Sequence, residues 1–140
     1  MAWAILDSNI YIDYWERGLH EALIERLSRQ FIIRHSSVVM SELRRGARAL
    51  RARKLVDALR RTAPDPWDPE DKDWWEAGKL VRLIGDLEGW DATKRRDFQN
   101  DALIALTARN HGAALVTANH RDFELLRRML HFVLITPDKA

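Results

Sequence analysis

No cysteine occurs among the 140 residues, which excludes a disulfide framework and a thiolate zinc site and permits a reducing compartment. No stretch approaches the ~18 consecutive apolar residues that a membrane span requires. Met1-Ala2-Trp3-Ala4-Ile5-Leu6-Asp7 has no basic leader, and its apolar run meets an acid too early for a secretory signal. Internal repeats, low-complexity tracts and domain boundaries are missing too. The length suits one domain, 1–140, able to bury roughly two-thirds of the surface its unfolded chain exposes. A soluble, cytoplasmic protein that needs no membrane is expected.

Net charge is small, +2, but unevenly spread. Between Leu43 and Arg61 lie Arg44, Arg45, Arg48, Arg51, Arg53, Lys54, Arg60 and Arg61, opposed only by Asp57. A field of that sign attracts polyanions or an acidic protein, and arginine suits bidentate contact with phosphate or carboxylate. A solvated helix face is the plainer reading for any one of them.

Apolar runs and helical patterns alternate along the chain. Ala2 to Leu6 reads as a buried strand feeding a helix cap at Asp7-Ser8-Asn9. The same grammar returns at Ala113 to Val116, followed by Thr117-Ala118-Asn119 and a helix bearing Phe123, Leu126 and Leu130. Phe31 to Ile33 and Phe132 to Ile135 are further strand candidates. Helical periodicity covers Ile10 to Arg17, Leu19 to Arg29, Val38 to Arg61 with a break, Lys72 to Glu88, and Phe98 to His111. This alternation argues for an α/β fold with a parallel sheet. Trp74, Ala77, Val81 and Ile84, flanked by Leu80 and Leu87, form a core stripe. The proline-rich segment 64–69 reads as a surface connection with room for a short edge strand. Gly89 to Arg96 reads as a second polar loop.

Four carboxylates stand at the edges of apolar segments. Asp7 directly follows a strand, where parallel sheets bind their ligands; it can also be a plain helix cap. Asp101 begins a helix that is apolar on nearly every side. An unpaired acid buried there costs several kcal/mol, so it needs a partner, a proton or a metal, with a first-turn dipole as the structural alternative. Glu42 flanks the stripe Val39, Met40, Leu43 and Ala47, and spacing alone favours pairing with Arg45 or Arg48. Asp122 and Asn119 are equally well read as first-turn and capping residues or as site residues. Acids gathered from distant segments imply a hard cation, Mg²⁺ or Mn²⁺, and hence a metal-dependent hydrolase. The five histidines show no ligand spacing and read as surface or loop residues. Trp67 and Trp90 can stack a base if exposed.

Asp-Ser-Asn at Asp7, Ser-Glu-Leu with Gly46 at Glu42, Asn-Asp-Ala-Leu-Ile-Ala at Asp101, and Thr-x-Asn-x-x-Asp-Phe from Thr117 to Phe123 occur in that order. The set resembles the PIN-domain ribonucleases, most closely the VapC-type toxins of type II toxin–antitoxin pairs, over nearly the whole chain. The resemblance implies an α/β/α sandwich with a five-stranded parallel sheet. It also implies an endoribonuclease that hydrolyses RNA by metal-activated water. Asp7 and Asp101 would then be the metal ligands, and Glu42 and Asp122 would complete the catalytic acids. Ser8, Arg44, Arg45, Arg95, Arg96, Thr117 and Asn119 would contact substrate. Asn119 stands where family members carry Asp or Asn, which bears on a second metal. A structured RNA, a cognate antitoxin and a homodimer are the implied partners.

Other α/β readings fit less well. A haloacid-dehalogenase-type phosphatase needs a second Asp where Asn9 stands, and a phosphorylation receiver needs a Lys near Thr117 to Asn119. A non-catalytic PIN-like module that binds RNA or protein is the rival from a different class.

Overall fold

The computed structural model describes residues 2–63 and 65–137. Four parallel strands, β1 (Ala2–Leu6), β2 (Phe31–Arg34), β3 (Ala114–Val116) and β4 (Leu134–Ile135), lie in the order β2-β1-β3-β4. Connections run through helices α1 (Ser8–Arg17), α2 (Glu21–Gln30), α3 (Ser37–Gly46), α4 (Leu50–Thr62), α5 (Asp71–Glu88), α6 (Ala92–His111) and α7 (His120–Arg127). The chain moves one way from β1 to β2 and the other way from β3 to β4. Right-handed crossovers then place helices on both faces, giving the expected three layers.

Four strands among the described residues replace the five expected. Beyond β2, Trp67 donates to the His35 carbonyl at 2.8 Å and accepts from the Ser37 amide at 3.0 Å, a single parallel bridge. Pro66 and Pro69 on either side lack amide donors, so pairing stops at one residue. Pro64 lies outside the described residues.

The core centres on the sheet and α6. Ile5, Leu115, Leu103, Ile104 and Leu106 are fully buried, and each such side chain contributes roughly 1.5–3 kcal/mol. Helix α6 begins much earlier than the sequence pattern suggests. Asp91 caps it, its carboxylate accepting the Lys94 amide at 2.8 Å, so Gly89 to Arg96 is mostly helix rather than loop. The polar residues in that first stretch conceal the helix because they face solvent.

Helix α5 corrects the expected stripe. Ala77, Leu80 and Ile84 are buried, whereas Trp74 and Leu87 are mostly exposed and Trp75 more so. His35 is likewise buried beside Tyr11 rather than on a surface loop, and His111 stacks on Trp67 at 3.8 Å. Trp67 also carries the Arg34 guanidinium, and Trp90 packs on Phe98, so neither offers a free ring to a base. Asp73 is the buried acid that the sequence pattern hides. It closes a capping box by accepting the Glu70 amide at 2.8 Å and also accepts Asn110 Nδ2 at 2.9 Å, joining α5 to α6. Asp73→Ala is expected to lower stability by about 2 kcal/mol, read as a lower urea midpoint.

Candidate active site

Sheet register builds the floor of the site. Leu6 pairs with Val116, and the Asp7 amide donates to the Val116 carbonyl at 2.8 Å, so the residues ending β1 and β3 stand side by side. This junction is where strand order reverses, the place at which open parallel sheets bind ligands. Asp7 and Thr117 occupy it, both buried.

Asp7 stands at this junction and is also a helix cap. It caps α1, accepting the Ser8 amide at 2.8 Å, and its other oxygen accepts Thr117 Oγ1 at 2.7 Å and Asn9 Nδ2 at 3.3 Å. Burial pushes its carboxyl up, and these donors only partly offset that. The Thr117 hydroxyl is fully used: besides donating to Asp7, it accepts the Asn119 amide at 3.0 Å and Asn9 Nδ2 at 3.2 Å. Asn9 closes the ring by accepting the Ala118 amide at 3.1 Å.

Helix α3 brings Glu42 to the same place. Spacing favoured a local arginine partner, but the carboxylate instead accepts Ser8 Oγ at 3.3 Å and Asn100 Nδ2 at 3.4 Å. Burial raises its carboxyl, and the Asp7 charge raises it further, against a smaller opposing pull from Arg45.

Asp101 lies in the middle of α6, not in its first turn, so the helix dipole gives it little help. It is flanked by buried Ala102, Leu103 and Ile104. None of the hydrogen bonds among the described residues reaches its carboxylate. Desolvation raises this carboxyl well above its ordinary value, and the charges of Asp7, Glu42 and Asp122 add to the rise, with Lys94 opposing. Asp101 is thus the point on which the charges of the other three acids converge.

Helix α7 supplies the last of them. Asn119 caps the helix, accepting the Asp122 amide at 3.4 Å, while Asn119 Nδ2 donates to Asp122 Oδ2 at 3.2 Å. The same oxygen accepts Lys94 Nζ from α6 at 2.6 Å. The capping and first-turn placements expected for Asn119 and Asp122 are both present, and Asp122 also acts on Asp101.

The proposed substrate contacts divide. Arg44 lines a cleft of about 360 Å³ with Ser37, Ser41 and Arg60 between α3 and α4, and Arg45 is exposed near Glu42. Arg96 is exposed beside Thr93. Arg95 is committed elsewhere, donating to the Trp90 carbonyl and to Asp86, each at 2.9 Å. Asn9, Asn100 and Lys94 were not legible as site residues. The two asparagines adjoin motif acids, a usable signal, whereas Lys94 sits in a basic run that offers none.

The donor set fits a hard divalent cation. It consists of carboxylate, amide and hydroxyl oxygens without sulfur, and Asp101 brings a half-buried negative charge that no hydrogen bond among the described residues reaches. Among the described residues no three Asp, Glu or His side chains already enclose a metal position.

A PIN-domain family profile matches residues 4–128. No curated protein matches by sequence. Among solved structures, VapBC2 from Rickettsia felis bound to a promoter DNA fragment aligns with a TM-score of 0.70 and 23% identity, covering 97% of this chain and 99% of that one. VapBC from Salmonella typhimurium bound to DNA gives 0.66 and 23%, covering 97% and 98%. VapBC-1 from nontypeable Haemophilus influenzae gives 0.67 and 22%, covering 97% of each. At these identities the likeness establishes the shared fold.

Proposed function

The chain belongs to the PIN-domain family, and on that premise we propose that it is a VapC-type toxin, a Mg²⁺- or Mn²⁺-dependent endoribonuclease held in check by a cognate antitoxin. One observation carries the nuclease reading: Asp101 is desolvated, receives no hydrogen bond and is pressed by three other acids. A fold keeps such an arrangement at a cost in stability, and a divalent cation offsets it.

Asp7 and Asp101 would hold the ion, since they stand at the junction of β1, β3 and α6. When bound, a divalent cation supplies positive charge to the scissile phosphate and acidifies a water molecule. Glu42, steadied by Ser8 and Asn100, orients the attacking water through its carboxylate oxygens. Asp122, bonded to Lys94 and Asn119, adds the fourth charge near Asp101. Arg44, Arg45 and Arg96 hold the RNA backbone, which positions a strand without selecting its sequence. The toxin role draws support from the solved VapBC complexes that share this fold. It implies an antitoxin whose acidic or arginine-bearing tail meets this face, a homodimer, and action in the cytoplasm. No helix among the described residues is long and apolar enough to cross a membrane.

Purified protein is expected to cut RNA with Mn²⁺ or Mg²⁺ and to stop on chelation with EDTA, followed by gel electrophoresis of labelled RNA. Activity is expected to disappear in Asp7→Asn. Undiminished metal-dependent cutting by that variant would overturn the site assignment. A wild-type chain that cuts no RNA while still binding it would favour the non-catalytic module.

A further inference from the structure

Asp122 is satisfied in a way its fellow acids are not. Lys94 Nζ stands 2.6 Å from its Oδ2, and Asn119 donates to that same oxygen at 3.2 Å. The Lys94 side chain is 40% exposed, and its Nζ lies over the Trp90 ring, 5.0 Å from the centroid. Trp90 is in turn fixed against buried Phe98. The ammonium is therefore held by packing below and by a carboxylate ahead, unlike a free surface lysine.

Its placement is local to the acid pocket. Lys94 and Asp101 are seven residues apart on α6, which puts them on one face two turns apart, and α7 brings Asp122 against that face. The Lys94 charge also acts on Asp101. Asn119, the other side chain that donates to Asp122, is uncharged. The Asp122 side of the pocket thus has one carboxylate, one amide and a resident cation.

We propose that the Lys94 ammonium occupies the place of a second divalent cation beside Asp122, so that the chain binds one metal ion and uses lysine as the other positive charge. One divalent ion and one ammonium offset three of the four carboxylate charges without crowding two dications into the pocket. In two-metal nucleases the second ion stabilises the leaving oxygen. Here Lys94 would serve that end as a compact, movable point charge. The inference rests on the metal-dependent nuclease reading, but its test counts ions rather than products.

Mn²⁺ titration of the full chain, with free ion counted by electron paramagnetic resonance, should give one ion per chain for the wild type and two for Lys94→Met. Methionine keeps an apolar stem on Trp90, and circular dichroism confirms that the variant folds. Lys94→Gln is the second neutral variant, while Lys94→Arg keeps the charge and should stay at one. Two ions or none in the wild type would overturn the proposal. So would a single ion in both neutral variants. A wild type that binds one ion and gains a second on loss of Lys94, yet cuts no RNA, would sink the nuclease reading and leave this one standing.

Discussion

Asp101→Asn is expected to abolish RNA cleavage and, without metal, to make the protein more stable than the wild type. Loss of one preorganised charge at a reacting centre costs on the order of 10²–10³ in rate, and removal of a principal metal ligand should cost at least that. The stability gain follows from linkage. The folded Asp101 carboxyl titrates well above the ordinary value of 3.8, so over the interval between the two the folded state binds more protons than the unfolded chain. Stability therefore falls as pH rises through that interval. Asparagine has no such proton to lose. The urea midpoints of variant and wild type should coincide at low pH and separate as pH rises, with the variant higher. Saturating Mn²⁺ should narrow the gap by stabilising only the wild type. A variant less stable than the wild type at neutral pH without metal would show that Asp101 is compensated by protein groups.

Thr117→Val is the second substitution with a large expected effect. Valine matches threonine in shape but removes a hydroxyl that donates to Asp7 and accepts from Asn9 and the Asn119 amide. Each buried partner left unsatisfied costs about 1–3 kcal/mol, so a loss of at least about 2 kcal/mol is expected in urea unfolding. Asp7 would lose its shortest hydrogen bond and hold metal less well. Asn119 would lose its anchor, and with it the geometry of Asp122. Cleavage should fall by roughly 10²-fold, and Thr117→Ser should restore most of both stability and activity, because serine keeps the hydroxyl. Full activity in the valine variant would remove Thr117 from the architecture of the site.

Legibility in the sequence followed the kind of interaction involved. The strands and the acids at their ends were readable because burial imposes runs and periods on the chain. Asp101 stood out because Ala102 to Leu106 surround it with apolar residues. The start of α6 did not, since Lys94 reaches to Asp122, Arg95 to Asp86 and Arg96 to water, and none follows an apolar period; only the Asp91 cap marks it. Trp74 and Leu87 fit the helical stripe of α5 but are exposed, because periodicity gives a face and not what covers it. The partners of Glu42 were misjudged from spacing because its arginine neighbours are near in sequence, whereas Ser8 and Asn100 are near in space. The hub at Thr117 and the ammonium at Lys94 depend on register and on the meeting of α6 with α7. Neither leaves a pattern along one segment.

The pairing of β1 with β3 also sets a moment in the life of the molecule. Asp7 and Thr117 are separated by 110 residues, and the sheet that joins them cannot close until β3 has been synthesised and released from the ribosome. Until then the chain carries Asp7, Glu42 and Asp101 with no shared pocket. Chains that end before β3 lack the strand that pairs with β1 and are expected to assemble no site. If the chain is the nuclease proposed above, its site is expected to be unassembled on the ribosome until β3 has emerged, which cleavage of labelled RNA by stalled nascent chains of stepped length would check.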